Sequence, residues 1–278
     1  MRCAVLGDPI DHSLSPVIHR AAYAGLGLSD WDYTAVQVPA GGLAAFVDGL
    51  DPAQWRGLSL TMPLKREAVP LLTSHDGWVG ATGACNTVLL EPDGARHGLN
   101  TDVTGALMVL GDLDVPLERA VVLGGGATAT SLLLALAELG MRQATLLVRD
   151  PDRAGDTVHA VVAHPSAPTV EVALLDDPGE PGVLAADVLV STVPASAQVP
   201  ELLAAVADVP VVFDAVYDPW PTPLAAAAGR AGRTVVSGLD LLVAQAVNQV
   251  VAMTGRYDVP AGAMRRAAED ELAARSSR

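Results

Sequence analysis

Residues 119–140 read RAVVLGGGATATSLLLALAELG: an apolar β-branched run, three consecutive glycines, then an Ala/Leu-rich stretch of helical length. A strand that passes through a glycine turn directly into a helix is half of a βαβ unit, and such a unit is completed by a second strand parallel to the first. No other passage constrains the fold as tightly. Gly124, Gly126 and Ala129 fall in the spacing G-x-G-x-x-G/A. Glycines at those positions permit a tight turn and let backbone N–H groups approach a pyrophosphate at the helix N-terminus, while a small third residue lets helix and strand pack closely. Gly125 and Ala127 complete the turn and are candidate cofactor contacts with Gly124 and Gly126.

The next strand candidate ends in TLLVRDPDRA. An NAD site places a carboxylate there to accept from the ribose 2′-OH, whereas an NADP site supplies arginine for the 2′-phosphate. Arg149 and Arg153 favour NADP over NAD. Asp150, between them, either caps a helix that opens on Pro151 or sets a carboxylate against a 2′-phosphate, which would favour NAD.

The same alternation runs along the chain. Strands are expected over residues 3–6, 33–38, 57–61, 87–91, 120–123, 144–148, 188–192, 211–215 and 234–236. Helices are expected over 16–25, 43–49, 65–72, 129–139 and 239–253. This pattern predicts an α/β protein with mostly parallel sheets, and 278 residues suffice for two domains. A boundary is expected near 103–116, where a short helix, a turn and a fresh strand follow one another. The charged stretch 263–278 is expected to be a solvated helix with a frayed tail.

A net charge of −15 argues against nucleic acid or an anionic membrane as partner. The longest apolar helical run is too short to span a bilayer. MRCAVLGDPI already reads as strand and turn, which leaves no room for a signal peptide. Cys3 and Cys85 have no metal-like spacing and lie in strand-like segments, as expected of reduced thiols. A soluble, cytoplasmic protein is therefore expected; a monomer or homodimer without metal is a further expectation. An anionic ligand would have to be held by local groups against a repulsive global field.

Lys65, in TMPLKRE, is the only lysine among 17 Lys+Arg. Surface charge is supplied everywhere else by arginine, which keeps its proton in a protein; a partly desolvated lysine can move one. This hints at proton chemistry at Lys65, against the plain alternative of a solvated charge. Three other pieces of the first half carry similar potential. Ser13 and Ser15, ahead of Pro16 and a helix, could donate to a carboxylate or simply cap. Asn86 in GACNTVLL could orient a hydroxyl or close a turn. Asp102 in GLNTDVTG could pair with Lys65 or serve as a helix cap.

Taken together, Ser13-x-Ser15-Pro16, Thr61-x-Pro63-x-Lys65, Gly83-Ala84-Cys85-Asn86-Thr87, Asn100-Thr101-Asp102, the glycine turn, DAVYDPWPTPL (with Tyr217) and SGLDLLVAQAVNQ (with Gly238 and Gln245) resemble the shikimate dehydrogenases in order and spacing, from residue 3 to about residue 253. The resemblance implies a substrate-binding domain over 1–104, completed by helices within 238–278, a Rossmann-like NADP domain over 105–237, and a cleft between them. It implies reversible hydride transfer between shikimate and NADP, giving 3-dehydroshikimate. Lys65 and Asp102 would be the catalytic pair. Ser13 and Ser15 would hold the ring carboxylate, Thr61, Asn86, Tyr217 and Gln245 would contact the substrate, and Gly238 would lie near the nicotinamide. Ser59, where the family often has Asn, and Ala127, in place of a glycine, depart from the pattern. Two other readings are an NAD-dependent quinate/shikimate dehydrogenase and a non-catalytic shikimate- or dinucleotide-binding protein.

Overall fold

The alternation read from the sequence is realised as two separate sheets in a computed structural model, which describes residues 1–180 and 184–277. The chain divides into two compact units, Met1–Gly105 with the residues from Leu242 onward, and Ala106–Leu241. In chain order the first unit contains β1 (Arg2–Gly7), α1 (Ser15–Gly25), β2 (Asp32–Gln37), α2 (Leu43–Asp48), β3 (Trp55–Leu60), α3 (Leu64–Glu67), β4 (Ser74–His75), α4 (Gly77–Thr82), β5 (Thr87–Leu90), β6 (Arg96–Leu99) and the start of α5 (Thr101–Gly111). The second contains β7 (Arg119–Leu123), α6 (Ala127–Glu138), β8 (Gln143–Val148), α7 (Gly155–Val162), β9 (Thr169–Leu174), β10 (Val188–Ser191), α8 (Pro200–Ala205), β11 (Val211–Asp214), α9 (Pro223–Arg230) and β12 (Thr234–Ser237). Helix α10 (Gly238–Thr254) returns the chain to the first unit, and α11 (Ala261–Ser276) ends it.

The first sheet has the order β2-β1-β3-β5-β6-β4. β1 runs parallel to β2 and β3, whereas β3–β5 and β5–β6 are antiparallel. Its core gathers Leu6, Leu43, Leu58, Leu64, Val79 and Val88 on one side. The second sheet is parallel throughout, in the order β12-β11-β10-β7-β8-β9. Numbered within the unit, that is the doubly wound order of dinucleotide-binding folds, with its switch point between β7 and β10. Helix α6 is buried at every residue from 129 to 137, which explains why its sequence is apolar all round.

Several boundaries follow from local chemistry. Asp76 caps α4 by accepting from Val79 N at 2.7 Å, and Gly83 ends that helix in the left-handed region at φ 62°. Thr222 caps α9 on Ala225 N, with Pro223 in the first turn. The helix expected over 65–72 divides into α3 and a 3-10 turn, Val69–Leu71, because Pro70 has no N–H with which to continue it. β6 and β9 were not expected. RHGL lacks a strand's apolar alternation, and β9 is a sheet edge that leaves Val172 and Leu174 exposed. The C-terminal helix is solvated on one face, as expected, but α11 also packs on α1 and buries Met264 and Ala268.

His19 on α1 is fully buried and stacks on Tyr33 of β2, ring centroids 3.9 Å apart. Burial pushes its pKa down from 6.5 to about 3. The folded state therefore declines a proton that the unfolded chain takes up below pH 6.5, so stability is lost as the pH falls from 6.5 towards 3, by up to about 1.4 kcal/mol per pH unit from this group. Urea midpoints measured between pH 7 and pH 5 should fall for the wild type. They should fall less steeply for His19→Gln, whatever the variant's absolute stability; equal slopes would contradict the assignment.

Candidate active site

The first unit's sheet brings its chemistry-bearing residues to one end through strand direction alone. β1 and β3 are parallel neighbours with Leu6 opposite Leu60, so the turn carrying Ser13 and Ser15 and the turn carrying Thr61 and Lys65 leave the same edge. β5 runs the other way: Thr87 faces Ser59, which sets Asn86 at that edge. β6 reverses again, Leu99 faces Thr87, and residues 100–102 follow there. Backbone bonds tighten the group: Leu60 N donates to Asn86 O at 2.7 Å, Asn86 N to Leu99 O at 3.1 Å, and Cys85 N to Lys65 O at 2.8 Å. Glu67, two residues past the lysine, accepts from Gly41 N and Leu43 N, anchoring α3 to the start of α2.

Lys65 Nζ donates to Asp102 Oδ2 at 2.6 Å, with side-chain exposures of 14% and 8%. The other carboxylate oxygen, Oδ1, accepts from Asn86 Nδ2 at 2.8 Å. Asp102 lies in the first turn of α5, where the helix dipole favours a negative charge. The capping role goes instead to Asn100, whose Oδ1 accepts from Asp102 N. Asn86 also reaches Thr101 Oγ1 at 2.9 Å and Gln245 Oε1 at 3.5 Å, and Gln245 is steadied by donating to Leu242 O at 2.8 Å. Lys65, Asp102, Asn86 and Gln245 thus form one cluster. Thr101 and Gln249, which are not among the candidates of the sequence analysis, join it. Gln249 left a faint signal: it is a buried glutamine one helical turn after Gln245.

Ser13 and Ser15 sit at the head of α1, and Ser15 does not cap the helix. Ser13 Oγ instead accepts from Ser15 N at 3.3 Å. Thr61 follows β3, its N–H donating to Leu6 O at 2.9 Å. A β-carbon added at Gly7 would overlap the Thr61 side chain, so Gly7 leaves room for that turn.

The remaining candidates belong to the second unit. Gly124 ends β7 at φ 99°, and a β-carbon there would come within 2.5 Å of Thr192 Oγ1 on the segment after β10. The glycine turn therefore occupies the switch point of the sheet. Gly126 precedes α6 with no side-chain cap, and a β-carbon on it would meet nothing within 4 Å. Uncapped N–H groups beside an open glycine suit a pyrophosphate. Buried hydroxyls brace the turn from beneath: Thr157 Oγ1 donates to Gly125 O at 2.8 Å and lies 2.8 Å from Thr130 Oγ1. Arg149 and Arg153 are solvent-exposed after β8, while Asp150 Oδ1 accepts from Asp152 N at 3.1 Å and so caps a 3-10 turn.

Tyr217 is half-buried on the loop after β11. That loop is braced by Asp214, whose carboxylate accepts from Thr222 Oγ1 at 2.6 Å, Gln198 Nε2 at 2.9 Å and Val216 N at 3.2 Å. Burial raises the Asp214 pKa, and these bonds partly counter the rise. Gly238 opens α10, where any β-carbon would overlap the Ala215 carbonyl.

One unit with a doubly wound sheet and an open glycine turn, and another α/β unit that carries a half-buried Lys–Asp pair, are the components of a nucleotide-dependent dehydrogenase. The model of the shikimate dehydrogenase substrate binding domain matches residues 5–88. A shikimate dehydrogenase (NADP(+)) of Moorella thermoacetica is 35% identical over 286 residues, covering 98% of this chain and 94% of that protein. The crystal structure of Mycobacterium tuberculosis shikimate dehydrogenase is similar with a TM-score of 0.86 and 39% identity, covering 97% of this chain and 99% of that one. The Thermus thermophilus enzyme, in complex with NADP(H) and shikimate, matches with a TM-score of 0.84 and 29% identity, covering 98% and 100%. The chain belongs to the shikimate dehydrogenase family.

The two glycines should separate stability from binding. Gly126→Ala adds a methyl group in open space at an ordinary φ of −86°, so its unfolding midpoint should stay within about 0.5 kcal/mol of wild type while NADP binding weakens. Gly124→Ala, at positive φ and against Thr192, should lose about 1–3 kcal/mol. Chemical denaturation and fluorescence titration with NADPH measure both effects.

Proposed function

We propose that this protein interconverts shikimate and 3-dehydroshikimate with NADP(H) as redox partner. The observation that carries the reading is the half-buried Lys65–Asp102 pair, with Asn86 holding the second carboxylate oxygen. Membership of the family supports it. Residues 1–104, completed by 238–278, act as the substrate-binding domain, and 105–237 as the NADP domain. Two buried free thiols, Cys3 and Cys85, the latter pushed up to about 12 by burial, are in keeping with a cytoplasmic enzyme. Among the described residues no helix is long and apolar enough to cross a membrane. The working form is a monomer or homodimer.

Oxidising a secondary alcohol requires its O–H proton to leave as the carbinol hydrogen departs with two electrons. When bound, NADP(+) supplies the acceptor for that hydride, and NADPH returns it in the reverse direction. The Lys65–Asp102 pair takes the hydroxyl proton in oxidation and gives it back in reduction. Asp102 holds Nζ of Lys65 in place, and Asn86 prevents the carboxylate from rotating away. Ser13 and Ser15 donate to the ring carboxylate at the head of α1, where the first-turn N–H groups add positive potential. Thr61, Tyr217 and Gln245 contact the ring hydroxyls together with Asn86. Residues 124–127 hold the pyrophosphate, Arg149 and Arg153 pair with the 2′-phosphate, and Gly238 leaves room for the nicotinamide. The local cations and helix termini thereby hold anions in a protein of net charge −15. Asp150 Oδ1 is engaged as a cap on Asp152 N.

Guanidinium can bind an oxygen but cannot release its proton. Lys65→Arg should therefore lower kcat by about 100-fold or more while changing shikimate affinity only a few-fold. Steady-state rates and calorimetric titration test this, and near-normal turnover would remove Lys65 from the mechanism. Arg149→Ala should raise KM for NADP about tenfold and leave the rate with NAD unchanged. Rates with shikimate and quinate, each under NADP and NAD, test the substrate and cofactor assignment directly.

A further inference from the structure

The hydrogen bonds around Asn86 continue into the core of the first unit, and along this path the direction of each bond is fixed. The Asn86 carbonyl can only accept, and it lies 3.4 Å from Gln249 Nε2. The amide nitrogen of Gln249 must therefore face Asn86 and Thr87. Gln249 Nε2 donates to Thr87 Oγ1 at 2.9 Å, so the Thr87 proton is directed to Asn86 Oδ1, also 2.9 Å away. Thr101 N donates to the same oxygen at 2.8 Å. With Oδ1 held by these two donors and by Thr101 Oγ1 at 3.1 Å, Asn86 presents Nδ2 to Asp102. Reversing that amide would set an oxygen against the carboxylate and leave Thr101 N facing an NH₂ group.

On its far side Gln249 is held as firmly. Its Oε1 accepts from Ser59 Oγ at 2.8 Å, and Ser59 accepts from Tyr33 OH at 2.6 Å. His19 Nε2 lies 3.2 Å from the same Oε1 and donates to it, while His19 Nδ1 makes no hydrogen bond. His19, Tyr33, Ser59, Thr87, Asn86 and Gln249 are each at most 4% exposed, so bulk water does not compete and bonds in series reinforce one another.

We infer that Gln249 is a positioning residue for the proton-transferring pair: by donating to Thr87 it directs the Thr87 proton onto Asn86 Oδ1, which together with Thr101 holds the Asn86 amide against the Asp102 carboxylate that faces Lys65. Gln249 touches neither Lys65 nor Asp102 and acts only through this directed chain. The inference rests on the proposed role of Lys65 and Asp102, so its test needs a readout independent of turnover. The side-chain amide resonances of Asn86, assigned in ¹⁵N-labelled protein by their loss in Asn86→Asp, provide one.

In Gln249→Met the Asn86 amide resonances should shift, kcat with shikimate should fall about tenfold, and KM for NADP should stay at the wild-type value. In the double variant Thr87→Val/Gln249→Met, kcat should be no lower than in the slower single variant, because both substitutions interrupt one chain. Gln249→Glu, close in volume, keeps an acceptor for Ser59 and loses the donor to Thr87 on ionisation. Its kcat relative to wild type should fall as the pH is raised, which gives a second test if the Met variant does not fold. Unshifted Asn86 resonances, wild-type kcat in Gln249→Met, additive losses in the double variant, or wild-type turnover of Gln249→Glu at every pH would each overturn the inference. If the wild-type protein did not reduce NADP with shikimate, the proposed function would fail, and the amide resonances would still decide whether Gln249 orients Asn86.

Discussion

Placing Lys65 and Asp102 out of water sets the terms for the first unit. Each ion forfeits several kcal/mol of hydration, and their mutual attraction offsets that only when the remaining lone pairs and protons are also satisfied. Asp102 meets the condition with Lys65 on one oxygen and Asn86 on the other, at the start of a helix that favours its charge. Asn86 in turn needs acceptors and donors of its own, which Thr101, Thr87 and Gln245 supply. One buried charge pair thus commits a cluster of polar residues that would otherwise weaken the core. The mixed sheet makes this possible, because its antiparallel β5–β6 pair returns Asn86 and Asp102 to the edge from which β3 delivers Lys65.

The second unit offers an anion both the backbone N–H groups at the start of α6 and the exposed arginines after β8. Its parallel sheet opens at the switch point, where Gly124 adopts a conformation that side chains rarely take and Gly126 leaves the start of α6 uncovered. Thr157 and Thr130, both buried, hold that turn against the core. The exposed arginines after β8 add charge without a desolvation penalty. Under the proposed function, local dipoles and cations would meet each anion at short range, while the global field of a strongly acidic chain is screened.

Much of this was legible in the residues. The glycine turn, the arginines after the second strand of the βαβ unit, the serine pair before Pro16 and the isolated lysine each carry a local chemical reason for their position. Asp150 illustrates a choice the sequence left open: carboxylate against the 2′-phosphate or helix cap. The structure takes the cap, because Pro151 starts a 3-10 turn whose Asp152 N–H needs an acceptor. The opposite happens at Asp102, where Asn100 takes over as cap and frees the carboxylate for Lys65. Nothing within either short segment distinguishes the two cases, since the deciding partner of Asp102 lies 37 residues away.

The sequence by itself determined the α/β class, the glycine turn and the residue types available for proton transfer, because periodicity, turn chemistry and side-chain acidity are local properties. Only the tertiary structure decided which strands reverse, and therefore which polar residues share one sheet edge. It also decided the use of His19, Ser59 and Gln249. No local feature of these residues shows that use until strands β2, β3 and β5 and helices α1 and α10 converge, because a hydrogen bond's direction depends on both of its ends.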